Sequence, residues 1–152
     1  MKARLDRASA LPHGRVMKDR ILFVCLGNIC RSPAAEAVMR AKAPHLTVDS
    51  AGTAGWHQGK APDTRARAEG ARRGYVYDDL RARQVTRADF ERFDVIYAMD
   101  HDNLADLRAI ADGPARLELF LGDTDVPDPY YDNSFPRMFD LIEARCDALL
   151  RG

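Results

Sequence analysis

The chain has 152 residues, with 23 Lys and Arg against 23 Asp and Glu, so its formal net charge is zero, and its apolar content of 46% suits one globular domain with an adequate core. Balanced charge gives no electrostatic ground for binding nucleic acid or a membrane, and no apolar run approaches a membrane span. Three cysteines, an odd number without scaffold spacing, point to a reducing cytoplasm, and the four histidines (13, 45, 57 and 101) form no metal-ligand cluster with cysteine.

Residues 1–17 carry Pro12, Gly14 and scattered charges with no apolar h-region. They are expected to be a flexible extension, not a secretory signal, ahead of one domain over 18–152, and Met17 is a candidate start residue. The apolar, partly β-branched run at 21–25 predicts a buried strand. Ser32 as N-cap, Pro33 at the first helical position and Glu36 in the first turn predict a helix over 33–43. Its buried face should hold Ala34, Val38 and Ala41, and Pro44 ends it.

A second strand is expected at 46–50, parallel to the first because a helix intervenes. Gly52 to Gly59 reads as a polar loop carrying the only tryptophan, Trp56. Asp63 is the predicted N-cap of a helix over 64–73 that Gly74 closes. Thr86 and Asp89 stand at capping-box spacing, with Val85 and Phe90 at the staple positions. A third strand is expected at 94–99, then a helix capped by Asp100, using Leu104, Leu107 and Ala111 and stopped by Gly113-Pro114. A fourth strand at 117–121 precedes a helix over 133–150 with Phe135, Phe139, Ile142, Cys146 and Leu149 on one face. Alternating strands and helices imply a single α/β domain built on a parallel sheet. Ligands bind such sheets beyond the carboxyl ends of the strands, where both the loop after Cys25 and the segment holding Asp128 should lie.

The chemistry concentrates between the first strand and first helix, in Cys25-x5-Arg31-Ser32. A helix N-terminus offers unpaired N–H groups and partial positive charge, and Gly27 and Asn28 tolerate positive φ, so the amides of residues 26–31 can curl around a tetrahedral anion. Arg31 adds a planar fork for two phosphate oxygens. The same positive field favours the thiolate of Cys25, placing a nucleophile beneath a cradled phosphate.

Val24-Cys25-Leu26-Gly27-Asn28-Ile29-Cys30-Arg31-Ser32-Pro33 resembles the signature of the low-molecular-weight protein tyrosine phosphatases. Val48-Asp49-Ser50-Ala51-Gly52, Pro62-Asp63-x-Arg65, Ala82-Arg83-Gln84-Val85-Thr86, Ala98-Met99-Asp100 and Val126-Pro127-Asp128-Pro129-Tyr130-Tyr131 continue the likeness in the family's order. It runs from about Lys18 to the C-terminus.

The resemblance implies a flavodoxin-like domain with four parallel strands and helices on both faces. It also implies a phosphatase that acts on aryl phosphates through phosphocysteine, without metal or cofactor. Its substrate would be a phosphotyrosine-containing protein or a small aryl phosphate; no nucleic acid or membrane partner is implied, and the oligomeric state is left open. Cys25, Arg31 and Asp128 would be catalytic, with Asp128 the general acid; read without the family, Asp128-Pro129 is an ordinary turn pair. Leu26, Gly27, Asn28, Ile29, Cys30 and Ser32 would bind the phosphate, Ser32 also donating to the sulfur and Asn28 bracing the loop. Trp56, Tyr130 and Tyr131 would wall the crevice. Asp63 and Arg65 match an element that looks structural, and Cys146 reads as core.

Family members often carry His at the position of Leu80, bracing Ser32 and Asn28, so this network is expected to be rearranged here. Cys30, close to Cys25 in the same loop, is expected to trap an oxidised Cys25 as a disulfide, a reading the resemblance favours.

Two other readings share these residues. An arsenate reductase of the same fold needs further cysteines to relay a disulfide, and residues 63–100 contain none. A catalytically idle phosphotyrosine-binding module would not need Cys25, Arg31 and Asp128 together.

Overall fold

The computed structural model describes residues 19–152; the expected extension over 1–17 lies outside them. Strand β1 (Arg20–Cys25) is the central organising element. Ile21 through Val24 are at most 3% exposed, because a neighbouring strand lies on each edge and helices cover each face. β2 (Thr47–Gly52), β3 (Val95–Ala98) and β4 (Arg116–Leu119) complete a sheet of order β2-β1-β3-β4, every pair parallel. This is the expected α/β architecture.

The two-residue period of β1 divides the core. Ile21, Phe23 and Cys25 face one layer with Tyr97, Phe120, Phe139 and Ile142. Leu22 and Val24 face the other with Ile96, Ala98, Phe90 and Leu107. The first layer is roofed by α1 (Arg31–Lys42), α2 (Thr64–Arg72) and α5 (Phe135–Arg151), the second by α3 (Asp89–Arg92) and α4 (His101–Ile110). Phe23 anchors the first layer, its ring 5.8 Å from Tyr97 and 5.5 Å from Phe120. Burial of a side chain that size is worth about 2–3 kcal/mol.

Several local expectations are corrected. Helix α1 begins at Arg31, with Cys30 as its N-cap, so Ser32 is not the cap and Pro33 falls third. The Ser32 hydroxyl is engaged by Cys25 and Asn28 instead, and Pro33 is tolerated because N–H groups in the first turn have no helical acceptor. Glu36 lies beyond the first turn, buried, and Ala41 is exposed. β2 extends to Gly52 because Ala51 and Gly52 still pair with Val24 and Cys25. A Cβ on Gly52 would stand 2.7 Å from the Leu26 carbonyl oxygen, so glycine lets this strand end against the loop.

Asp63 caps α2 as expected, accepting from the N–H groups of Arg65 and Ala66, and Gly74 follows with φ 94°. Only half of the capping box forms. The Asp89 carboxylate accepts from the Thr86 N–H (2.8 Å), but Ala88 is the N-cap, because buried Asp89 is also claimed by Arg83. Ala111 is the exposed C-cap of α4 rather than part of its buried face. Among the described residues no helix is long and apolar enough to cross a membrane.

Candidate active site

Beyond the carboxyl ends of β1 and β4 lies a cavity of about 230 Å³, lined by Cys25, Arg31, Asp128 and the loop between Cys25 and Arg31. Three of the loop carbonyls are turned away from the cavity. The oxygens of Cys25 and Leu26 accept from Thr53 and Ala54 (both 2.9 Å), and that of Ile29 accepts from Asp63 (2.8 Å). In a trans peptide the carbonyl and the following N–H point in opposite directions, so the N–H groups of Leu26, Gly27 and Cys30 are aimed into the curl. Positive φ falls on Asn28 (59°) and not on Gly27. Gly27 serves another purpose, since a Cβ there would come within 2.8 Å of the His57 ring.

Arg31 is 3% exposed. One guanidinium nitrogen donates to Asp100 (2.7 Å) and to the Val126 carbonyl (3.0 Å), and the other reaches Asp128 at 3.5 Å. Burial works against its charge, but Cys25, the hydrogen bond to Asp100 and the charge of Asp128 outweigh burial and push its pKa up. Asp128 keeps its other oxygen on the N–H of Tyr130 (3.1 Å), so the segment after β4 presents its carboxylate at the cavity rim.

Behind the loop the side chains are polar and buried. The Cys25 sulfur and Ser32 Oγ are 3.0 Å apart. Asn28 Nδ2 donates to Ser32 Oγ (2.8 Å) and Ser50 Oγ (3.0 Å), and its Oδ1 accepts from the Arg83 N–H (3.0 Å). Asn28 and Ser32 therefore brace the loop from behind and do not line the cavity. Leu80 packs against the first core layer and leaves Ser50 and Arg83 to hold Asn28.

At the front, Leu26, Gly27, Ile29 and Cys30 line the cavity, and Trp56, Tyr130 and Tyr131 form its rim. Arg65 lies over the rings of Tyr130 (5.3 Å) and Phe135 (4.9 Å) and donates to Asn133 (2.6 Å), tying the segment that carries Asp128 to α2. Cys25, Cys30 and Cys146 are free and buried. Burial, then Asp63, Cys25 and Asp128, push the Cys30 thiol well up, so it stays protonated. No group of three or more His, Cys, Asp or Glu suited to a metal ion occurs among the described residues.

Two contributors escape the sequence reading. Asp100, expected only as a helix cap, does that with Oδ1 on the Asn103 N–H (2.7 Å) and holds Arg31 with Oδ2. Its place just after β3, at the carboxyl edge of the sheet, was the available signal. His57 also lines the cavity, and only its neighbour Trp56 pointed to it.

A family model described as low molecular weight phosphotyrosine protein phosphatase matches residues 20–152. The low molecular weight protein-tyrosine-phosphatase YfkJ of Bacillus subtilis is 42% identical over 144 residues, covering 86% of this chain and 92% of its own. Its crystal structure superposes with a TM-score of 0.83 at 40% identity over 91% and 96% of the two chains. A protein tyrosine phosphatase from Entamoeba histolytica, solved with Hepes in the active site, is 42% identical over 86% and 94% of the chains, with a TM-score of 0.79. Wzb of Vibrio vulnificus, solved in complex with benzylphosphonate, is 30% identical over 89% and 99%, with a TM-score of 0.83.

Proposed function

Because the chain belongs to the low molecular weight phosphotyrosine protein phosphatase family, we propose that it hydrolyses phosphotyrosine in proteins and small aryl phosphates through a phosphocysteine at Cys25. One observation carries this reading: Cys25 and Arg31 at the two ends of one loop, and Asp128 from a segment about a hundred residues on, line one cavity at the rim of the sheet.

The Cys25 thiolate attacks phosphorus as the bond from phosphorus to the aryl oxygen breaks. Arg31 and the inward N–H groups hold charge on the equatorial oxygens, so this chain's own cation supplies the stabilisation. Asp128 gives its proton to the departing phenolate. Water then attacks the phosphocysteine, Asp128 takes a proton from it, and phosphate leaves as the thiolate is restored. The proton from Ser32 stabilises the sulfur anion in both steps. Trp56, Tyr130 and Tyr131 supply the faces against which an aryl ring packs. Three free cysteines fit a cytoplasmic setting.

The test is steady-state hydrolysis of p-nitrophenyl phosphate and of a phosphotyrosine peptide, with and without a chelator. Turnover by the wild type that survives chelation, and is lost in Cys25→Ser, is the expected result. Absence of turnover, or chelator-sensitive turnover restored by one divalent ion, contradicts it.

A further inference from the structure

The polar row behind the loop does not stop at Asn28. Ser50 Oγ, which accepts from Asn28, donates to Glu36 Oε1 at 2.7 Å. Glu36 is 1% exposed and lies on α1 just past the loop. Its Oε2 is 2.6 Å from Arg40 Nη2. That nitrogen aims its N–H at the Val48 carbonyl (2.8 Å), so Oε2 receives charge but no aligned hydrogen bond.

Proton directions along the row follow from this end. A carboxylate only accepts, so the single Ser50 proton is committed to Glu36 and the Ser50 oxygen is left to accept from Asn28. The Arg83 N–H on Oδ1 sets the flip of the Asn28 amide, whose second N–H goes to Ser32 Oγ. The Ser32 proton then has two acceptors within reach, the Cys25 sulfur at 3.0 Å and the Ala51 carbonyl at 3.4 Å, and the sulfur is the nearer.

We infer that Glu36 is a positioning residue for the nucleophile: by taking the Ser50 proton it anchors the far end of the row that the Arg83 N–H orients at Asn28, so that Ser32 donates to the Cys25 thiolate. The inference rests on Cys25 being the nucleophile. The charged groups facing Glu36 are Arg40, Arg83 and Asp49. Arg40 balances the carboxylate, so the row is ordered without an uncompensated negative charge behind the sulfur. Burial pushes Glu36 up to about 7 against the opposing effects of Ser50 and Arg40. As pH falls through neutrality it gains a proton, its bond to Ser50 loses charge assistance, and the row loosens. Leu80 offers no hydrogen bond that could replace this anchor.

The experiment follows iodoacetamide alkylation of Cys25, read on its peptide by mass spectrometry, across about pH 5 to about 9. It is paired with p-nitrophenyl phosphate kinetics for wild type, Glu36→Gln, Ser50→Ala and the double variant. In Glu36→Gln, Arg40 draws the amide oxygen and turns the NH₂ toward Ser50, reversing the joint. Wild type is expected to show a component in its alkylation profile near neutral pH that Glu36→Gln lacks. At pH above 7 the variant should alkylate Cys25 and turn over roughly three- to tenfold more slowly, with KM changed less than about twofold. The double variant should be no slower than the slower single one, because both cut one row. An unchanged profile in Glu36→Gln, or losses that multiply in the double variant, overturns the inference. Should Glu36→Gln fail to fold, Ser50→Ala alone must remove the neutral component, and its persistence overturns the inference equally. Alkylation needs no turnover, so these outcomes are separate from failure of the phosphatase reading, which would appear as an inactive wild type.

Discussion

The loop from Cys25 to Arg31 has two unlike sides. Its front opens on a cavity rimmed by Trp56 and Tyr131, 71% and 81% exposed. Its back is closed by Asn28, Ser32, Ser50 and Glu36, each at most 5% exposed and joined in one hydrogen-bonded row. Exposed rings can rotate to meet different aryl groups at small cost. A buried polar row cannot move without leaving a donor or acceptor unpaired, at about 1–3 kcal/mol for each. The front should therefore govern which substrate is held, and the back how fast the sulfur reacts.

The largest effect that can sharpen this contrast comes from Asp128, which stands at the rim yet is tied to Arg31. Asp128→Asn should lower kcat about 100-fold on phenyl phosphates with poor leaving groups and only a few-fold on strongly activated ones, since an activated phenolate needs no proton. A uniform loss across a leaving-group series would assign Asp128 to the architecture instead.

Next comes the direct contrast of back with front. Asn28→Ala strands Ser32, Ser50 and the Arg83 N–H at once, so kcat should drop at least tenfold and stability by about 2 kcal/mol in denaturant unfolding. Trp56→Ala should raise KM a few-fold and leave kcat and Tm near wild type. Comparable kcat losses in both variants would erase the distinction between the two sides.

A smaller effect concerns oxidation. Cys30 lines the same cavity as Cys25, but its thiol is held protonated by burial. Peroxide-treated wild type should recover activity with dithiothreitol and show a Cys25–Cys30 link by peptide mapping, whereas Cys30→Ser should recover less. Equal recovery removes Cys30 from that role.

A last effect is thermodynamic. The folded state holds the Glu36 proton up to about 7, against an ordinary 4.5. Between those values the folded protein binds more protons than the unfolded one, so this group lowers stability as pH rises, by at most about 1.4 kcal/mol per pH unit. The Tm difference between wild type and Glu36→Gln should shift in favour of the variant from pH 5 to pH 8. A difference independent of pH would show that Glu36 does not titrate in that window.

Much of this architecture was legible from residue pattern. The apolar run of β1, the Asp63 cap and the Gly74 stop depend on near neighbours in sequence, and they appear where local rules put them. Cys25 and Arg31 were legible for the same reason, being two ends of one short loop. Asp128 was legible only through resemblance, because Asp-Pro by itself reads as a turn. What failed were local rules overruled from a distance. Ser32 looks like an N-cap until Asn28 and Cys25 take its hydroxyl. Glu36 looks like a first-turn carboxylate until Ser50, on β2, draws it into the interior. The second duty of Asp100 depends on Arg31, which approaches from another strand end. Such long-range pairings set the back of the site, and no short stretch of sequence encodes them.

The central claim is that the Cys25 sulfur, held at the end of this buried row, takes the phosphoryl group. In Asp128→Ala an activated aryl phosphate should still phosphorylate the sulfur, because its leaving group needs no acid, while hydrolysis of the intermediate loses its base. Rapid acid quench of that variant with 2,4-dinitrophenyl phosphate, followed by mass spectrometry of the peptide carrying Cys25, is the most direct measurement. The account predicts one added phosphoryl group on Cys25, and none on the same peptide from Cys25→Ser. A phosphoryl group on any other side chain, or full product release with no adduct in Asp128→Ala, would contradict it.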